Sequence, residues 1–437
     1  MTKKLLAYFE LEQRHTTVRR EILAGFTTFI SMAYILFVNP SVLGASGMDK
    51  GAVFTATALS SALGCLLMGL LAKYPIATAP ALGINAFFAY SVCIGMKIPW
   101  QTALAGVFVA SLIFILITIF KLREMIIDAI PADLKYAISG GIGLFIAFLG
   151  LSDGGLIVAN KSTLVGLGDL SVGTTWLTIF GLVVTAVLMV RRVPGGIFIG
   201  MVLTTLLGLG TGLIHVPSAI ISPAPSLAPT FGVAVKHIGD INSLQLVVVV
   251  LTFLLVTFFD TAGTLVGLAN QAGFMKDNKM PRVGKALASD STAMLVGSVL
   301  GTSPVGAYVE SSAGIAVGGR SGLTAVTTGV FFLFGLFFSP LLAVVTTQVT
   351  APALIIVGVL MAQSLRQIKW DDMAIAIPSF LILLGMPLTY SISDGIALGF
   401  IMYPITMLAA KRGKQVSPIM YALFFVFIGF MWILNVG

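Results

Sequence analysis

Long apolar blocks separated by short polar segments run along almost the whole chain. Each block is close to the length of a membrane-spanning helix, which needs about 20 apolar residues. The blocks of the first half are 21–44, 51–72, 78–95, 99–120, 134–151, 174–190 and 195–214. Those of the second half are 243–268, 284–301, 304–319, 322–346, 350–364, 372–388 and 391–410. A last stretch, 417–436, is either a fifteenth span or an interfacial or paired helix.

The continuity of these blocks favours helices over barrel strands, because barrel strands alternate apolar and polar residues. In lipid, only helices and closed barrels satisfy every backbone polar group internally. The chain is 57% hydrophobic and only 10% charged, with a mean hydropathy of +1.04. Soluble domains are about 25% charged. The sequence therefore predicts an all-α polytopic membrane protein.

Basic residues concentrate in every second connection between blocks. Since Lys and Arg favour the cytoplasmic side, residues 1–20 are predicted to be cytoplasmic. The net charge of +8 then reflects orientation in the membrane and not a nucleic-acid surface. Seven is odd, so the second half enters from the opposite side, as in an inverted repeat. The predicted inside set is Lys3, Lys4, Arg14, Arg19, Arg20, Lys73, Lys121, Arg123, Arg191, Arg192, Lys276, Lys279, Arg282, Lys285, Arg320, Arg366, Lys369, Lys411, Arg412 and Lys414.

Two blocks, 78–95 and 304–319, are interrupted by Gly, Pro and polar residues at matching places in the two halves. Broken segments at corresponding positions point to a binding site near the middle of the bilayer. We expect each block to begin extended and to end as a half-helix whose N-terminus points at that site. The alternative is a pair of kinked structural helices.

Few acidic residues fall inside apolar blocks, and we single out three of them: Asp260, Asp290 and Glu310. A charge at that depth costs a few kcal/mol or more, so such residues are functional candidates. A buried carboxyl is easier to protonate, and its two oxygens accept two parallel N–H donors. Alternatively, Asp260 and Glu310 form a structural pair, and Asp290 braces the loop that holds Lys285.

The residues that enzymes and metal sites use are sparse. His15, His215 and His237 all lie outside the apolar blocks, and Cys65 and Cys93 lie inside them. The sequence has no Cys/His cluster, no GxSxG elbow and no P-loop. These observations predict neither an enzyme nor a metal or other cofactor.

Several longer motifs combine the features described above. They are GFTTFISMAYI at 25–35, VNP at 38–40, PALGINAFF at 80–88, FDTAGTL at 259–265, YVESSAG at 308–314 and GGRSGLT at 318–324. Together these motifs resemble the AzgA-like purine permeases of the nucleobase–ascorbate transporter superfamily, and the resemblance extends from about residue 20 to 410.

This resemblance implies a seven-plus-seven inverted-repeat transporter with core and gate domains and two broken, partly extended spans. It further implies proton-coupled uptake across the cell (inner or plasma) membrane, often by a homodimer. The implied divisions are the N-terminus 1–20, core 21–130, gate 131–215, connection 216–242, core 243–347, and gate with the C-terminal segment 348–437.

The resemblance also implies a substrate pocket on the third, eighth and tenth spans. Carried over, it points to Asn85, Asp260 and Glu310, with Asp290 from the ninth span as a further proton candidate. One acid would hold the N–H donors of guanine or hypoxanthine while another carries the coupling proton. The remaining substrate candidates are Thr264 and the aromatic residues Phe87, Phe259 and Tyr308, each of which is equally suited to packing.

The sequence leaves several substrates open. The family divides into adenine carriers and hypoxanthine/guanine carriers, and segments 157–160 and 302–305 look more like the second group. An anion transporter of the sulfate-permease type is a further alternative on the same fold. Such a site would present a cation to its substrate, whereas the candidate site here is acidic.

Overall fold

The computed structural model describes residues 7–120, 130–217, 219–241, 244–274 and 280–436. In 244–271 and 430–436 it describes the backbone throughout but only some of the side chains. Six basic residues used to predict the orientation lie outside the described residues: Lys3, Lys4, Lys121, Arg123, Lys276 and Lys279.

Helices fill the predicted blocks of the first half. The elements are α1 (Val18–Met32), α2 (Ile35–Gly44), α3 (Lys50–Leu67) with a π-helical end (Met68–Ala72), β1 (Thr78–Pro80), α4 (Leu82–Ala86) with a π-helical continuation (Phe87–Gly95), α5 (Trp100–Ile119), α6 (Ala132–Asp153), β2 (Ile157–Asn160), β3 (Leu164–Leu167), α7 (Gly173–Val190) and α8 (Gly196–Gly210).

The second half follows the same order after a connection that holds α9 (Val233–Lys236) and a 3-10 turn (Ile238–Asp240). Its elements are α10 (Leu244–Gln271), α11 (Val283–Leu300), β4 (Val305–Ala307), α12 (Ser311–Ala316), α13 (Gly322–Gly335) with a 3-10 end (Leu336–Ala343), α14 (Thr347–Ala362) with a 3-10 end (Gln363–Gln367), α15 (Met373–Thr389), α16 (Ile392–Ala409), a 3-10 turn (Gly413–Gln415) and α17 (Pro418–Val436).

Eight helical stretches within the described residues are long and apolar enough to cross a membrane, and four shorter apolar helices accompany them. Several begin at a side-chain cap, which satisfies a backbone N–H that would otherwise be unpaired. Asp49 accepts from the Ala52 amide, and Asp372 accepts from the Ala374 amide. The prediction of an all-α multi-pass membrane protein is confirmed.

The two interrupted blocks cross each other inside the protein. β1 pairs antiparallel with β4, with Thr78 opposite Ala307 and Pro80 opposite Val305. The Ala81 amide continues the ladder to the carbonyl of Pro304 at 3.0 Å. Each strand is followed by a short helix, α4 or α12. Both blocks therefore begin extended and end helical, and these strands are fully buried, as irregular backbone in a membrane must be.

The helices pack in two groups, which are the core and gate domains of the fold. In the core, α13 packs on α1 and α3, and α11 packs on α3 and α5. In the gate, α6 packs on α14 and α15, and α7 packs on α8 and α14. Equivalent helices of the two halves meet in both groups.

Small residues allow these close approaches, as is usual between membrane helices. A Cβ added to Gly358 of α14 would lie 2.5 Å from the carbonyl oxygen of Gly143 on α6. A Cβ added to Gly69 would lie 2.4 Å from the carbonyl oxygen of Gly322. Glycine is therefore required where the two halves touch.

The C-terminal helix α17 packs against α16 and α10. The rings of Phe400 and Phe427 meet edge to face, with centroids 5.6 Å apart. The last apolar stretch is thus a helix paired with a gate helix.

Candidate functional site

The candidate site lies where β1 and β4 cross. Tyr308 joins the two strands, because its amide donates to the carbonyl of Ala77 at 2.9 Å and its hydroxyl donates to the carbonyl of Pro80 at 2.7 Å. Tyr308 is buried. These two bonds fix the position of the Tyr308 ring between the two halves of the molecule. Asn85 lies in α4, which follows β1, and Glu310 lies between β4 and α12.

Asn85 is fully buried in α4. Its amide nitrogen donates to Oδ1 of Asn39 at 2.9 Å. Its own Oδ1 has no hydrogen-bond partner among the described residues. A buried acceptor without a partner is rare in folded proteins and indicates a place for water or a ligand.

Glu310 lies half-buried immediately before α12. Its Oε1 accepts a hydrogen bond of 2.5 Å from the hydroxyl of Tyr34, which is fully buried. Tyr34 sits between α1 and α2, where the first span is distorted. The tyrosine hydroxyl thereby fixes one oxygen of this carboxylate.

A second polar residue of the first span connects the same elements. The Nδ2 of Asn39 donates to the hydroxyl oxygens of Thr57 and Thr302, both at 2.8 Å. Its Oδ1 accepts from Asn85 and, at 3.4 Å, from the hydroxyl of Ser303. Asn39 thereby joins α2, α3, α4 and the segment that leads into β4.

Sequence reasoning assigned no site role to Tyr34, Asn39, Thr57 or Thr302. The available signal was a phenol and an amide within an otherwise apolar run, at 34–44. Polar residues inside a span face other protein groups or a cavity, so each was a candidate partner. Their partners lie up to 276 residues away in the chain, which no local pattern reveals.

Asp260, Phe259 and Thr264 lie on α10, which packs against β4, α4 and α12. The helix that carries them therefore borders the strand crossing. The side chains of Phe259 and Asp260 lie outside the described residues, and Thr264 is half-buried.

The remaining predicted residues lie at different distances from the crossing. Phe87 is fully buried, and its ring meets that of Phe253 edge to face at 5.1 Å. Asp290 is also fully buried, in α11. A Cβ added at Gly297 would lie 2.9 Å from Val305 of β4, so α11 touches the crossing there. Asp290 lies two turns earlier, about 10 Å along the helix.

These features define a helical membrane transporter of the core-and-gate type, with a buried polar site at the crossing of two broken spans. The chain belongs to the permease family Xan_ur_permease, whose model matches residues 19–398.

Relatives at high identity cover nearly the whole chain. The guanine/hypoxanthine permease PbuG of Bacillus subtilis is 57% identical over 430 residues, which are 96% of this chain and 98% of that protein. The adenine permease AdeP of Escherichia coli is 44% identical, over 96% of this chain and 94% of that protein. The same fold occurs in the transmembrane domain of the cyanobacterial bicarbonate transporter BicA, with a TM-score of 0.60 at 16% identity over 90% of this chain and 97% of that one.

Proposed function

We propose that this chain is a proton-coupled symporter that imports purine nucleobases, guanine and hypoxanthine in preference to adenine. The observation that carries the proposal is the pair of acceptors at the strand crossing. The carboxylate of Glu310 and the unpartnered Oδ1 of Asn85 both lie there. A buried hydrogen-bond acceptor matches a ligand that presents an N–H donor, such as the N1–H of guanine and hypoxanthine.

The relatives support the same substrate class. Two of them, PbuG at 57% and PbuO at 47% identity, both from Bacillus subtilis, are named guanine/hypoxanthine permeases. Those named adenine permeases are 44% identical. An adenine-preferring carrier is therefore the alternative within the family.

The proposed roles divide between two acids. Asp260 holds the purine by accepting hydrogen bonds from N–H groups of the purine. Glu310 binds the proton that travels with the purine. A buried carboxyl that alternates between charged and neutral forms couples the two movements, because carrying the charge through the membrane is unfavourable. Phe87, Phe259, Tyr308 and Thr264 complete the proposed pocket, and Asp290 is the next candidate for the proton path.

Import then requires the core to move against the gate, with the site exposed to each side in turn. We place the core at 21–130 and 243–347 and the gate at 131–215 and 348–437, joined by the connection 216–242. Residues 1–20 are cytoplasmic in this arrangement. The proposed location is the inner or plasma membrane, where two copies pair as a homodimer.

Anion transport, the second alternative, fits the site less well. A small anion needs N–H donors or a cation, whereas Glu310 would repel it. The likeness to BicA is a likeness of fold.

A competition experiment tests the substrate. Purified protein in liposomes takes up labelled hypoxanthine, and unlabelled guanine, adenine, xanthine, uracil or bicarbonate is added in excess. We expect guanine to compete most strongly, adenine weakly, and uracil and bicarbonate not at all. Stronger competition by adenine than by guanine would reverse the preference, and uptake of bicarbonate instead of purine would refute the proposal.

A further inference from the structure

We infer that Asn39 is a positioning and specificity-determining residue, which fixes the orientation of the Asn85 amide so that Asn85 offers the substrate an acceptor. The inference rests on the proposed function as a purine carrier. It assigns the preference for guanine and hypoxanthine to a chain of hydrogen bonds behind the site. This chain, here called the relay, consists of Thr57, Thr302, Asn39 and Asn85.

Thr57 in α3 sets which atoms of the relay donate hydrogen bonds and which accept them. The hydroxyl of Thr57 donates its hydrogen to the carbonyl of Val53 at 2.7 Å. A hydroxyl has one hydrogen, so towards Asn39 the Thr57 oxygen acts as an acceptor. Asn39 therefore turns its Nδ2 to Thr57 and Thr302 and its Oδ1 to Asn85.

The same logic fixes Asn85. Because Asn39 presents Oδ1, Asn85 must present its Nδ2, and the Asn85 Oδ1 is the atom left over. Rotating the Asn85 amide by half a turn would place two carbonyl oxygens against each other. Leaving buried polar groups unpaired in this way is costly, because each loses its hydrogen bonds to water without a replacement.

Burial keeps the relay in this state. Asn39, Thr57, Asn85 and Thr302 are each 0% exposed. A wrongly turned amide would therefore leave buried polar groups unpaired, and the amides cannot reorient freely. Both halves of the molecule contribute, because Thr302 precedes β4 whereas the other three residues belong to the first half.

The consequence is a choice between purines. Hypoxanthine and guanine carry a hydrogen on N1, which donates to an acceptor, whereas N1 of adenine is itself an acceptor. A site built to pair with a ligand N–H rejects an analogue that lacks it, because the protein group is then left unpaired. In the observed orientation the Asn85 Oδ1 accepts from N1–H of the first group, while Asp260 accepts from the other N–H groups of the purine, and N1 of adenine offers Asn85 no donor.

The decisive variant is Thr57→Val in the full chain, reconstituted in liposomes. It preserves the side-chain shape but removes one of the two oxygens that accept from the Asn39 Nδ2, the one whose role as an acceptor is set by its bond to Val53. We expect the ratio of the adenine inhibition constant to the hypoxanthine KM to fall about tenfold. The change should arise in KM, with maximal uptake little altered. Thr57→Ser retains the hydroxyl and should restore the ratio.

Thr204→Val is the matched control. Thr204 is fully buried in α8, and its hydroxyl donates to the carbonyl of Gly200 at 2.7 Å, as that of Thr57 does to Val53. Asn39→Leu, which removes the relay itself, should lower the ratio as Thr57→Val does. If Asn39→Leu fails to fold, Thr57→Val alone decides.

The outcomes separate this inference from the proposed function. Wild-type protein that carries no purine would refute the proposed function. Wild-type protein that prefers hypoxanthine, with the same ratio in Thr57→Val and Thr204→Val, would refute only the role of the relay. A lowered ratio in Thr57→Val, restored in Thr57→Ser and absent in Thr204→Val, would establish it.

Discussion

At the scale of single residues, the candidate site is a set of acceptors held in place by donors from the first span. Tyr34 holds Glu310, and Asn39 holds Asn85. The sequence identified the two acceptors because an acid and an amide in broken spans are conspicuous. It did not identify the two donors, because a Tyr or an Asn in an apolar run acquires its role only from distant partners.

The two proposed acids should respond differently to neutralisation. Glu310→Gln mimics the protonated state, so this variant should bind and exchange purine but not concentrate it. Asp260→Asn places an NH₂ group against the purine N–H donors and should lose binding itself. Equilibrium binding and counterflow measured on both variants assign the roles. Binding lost in Glu310→Gln and retained in Asp260→Asn would reverse the assignment, and unchanged coupling in both would direct attention to Asp290.

The contact between Tyr34 and Glu310 should be detectable as an energetic coupling. Tyr34→Phe removes the donor and leaves the carboxylate short of a partner, which should destabilise the protein by about 1.5–3 kcal/mol. In Glu310→Gln the same tyrosine change should cost less, since residues in contact are not additive. Thermal unfolding of the wild type, both single variants and the double variant in detergent measures the coupling. Additive effects would show that the contact contributes nothing of its own.

At the scale of elements, Gly and Pro allowed the two broken spans to be located in advance, and helix bounds agree with the apolar blocks within a few residues. The pairing of β1 with β4 could not be read from the sequence. Three-residue strands carry almost no local signal, and their register depends on contacts more than 200 residues apart, such as that between Pro80 and Tyr308.

One short element was also not foreseen, the N-terminal segment 7–16. Phe9 and Leu11 are buried in it and pack with Leu323. Its Glu10 forms ion pairs with Arg14 at 2.9 Å, Lys73 at 3.1 Å and Arg282 at 3.0 Å. Lys73 follows the π-helical end of α3 and Arg282 immediately precedes α11, so this carboxylate connects the ends of two core spans.

This cluster predicts an acid-dependent stability. Burial alone would raise the pKa of Glu10, but hydrogen bonds from Arg282, Arg14 and Lys73 lower it from 4.5 to about 2. A lowered pKa contributes stability that is fully present above pH 4.5 and is lost as the pH falls towards 2. Glu10→Gln should therefore lower the melting temperature at pH 7, and the difference from wild type should shrink below about pH 4.5. Glu12→Gln, the same change at an exposed neighbour, is the control and should have little effect; equal effects of the two variants would contradict the role of the cluster.

At the scale of the whole molecule, the core and gate also meet away from the strand crossing. The hydroxyl of Tyr90, on the core, donates to Asp153 at the end of α6 at 3.0 Å. The Ser91 hydroxyl donates to the carbonyl of Tyr390 at 2.9 Å. The two contacts bring the half-helix that follows Asn85 against the gate, so movement of one domain past the other must break them.

The positions of the apolar helices followed from hydropathy, because the bilayer imposes it on every spanning helix. The count of seven plus seven and the inversion, which were drawn from charge and hydropathy, stay predictions. The grouping into core and gate did not follow from those patterns, since it depends on which helices approach closely enough to require pairs such as Gly143 and Gly358. It entered through the resemblance to known permeases.

Proton-driven accumulation of hypoxanthine tests the central claim most directly. Liposomes that contain the protein and have an internal pH of 8 are placed in a medium at pH 6 or pH 8 that contains labelled hypoxanthine. The label that enters the liposomes is followed over time. Inward proton flow should concentrate hypoxanthine above its external level at pH 6 only, and a protonophore should abolish the excess. Uptake that reaches the same level at both pH values, and that the protonophore leaves unchanged, would contradict proton-coupled purine transport.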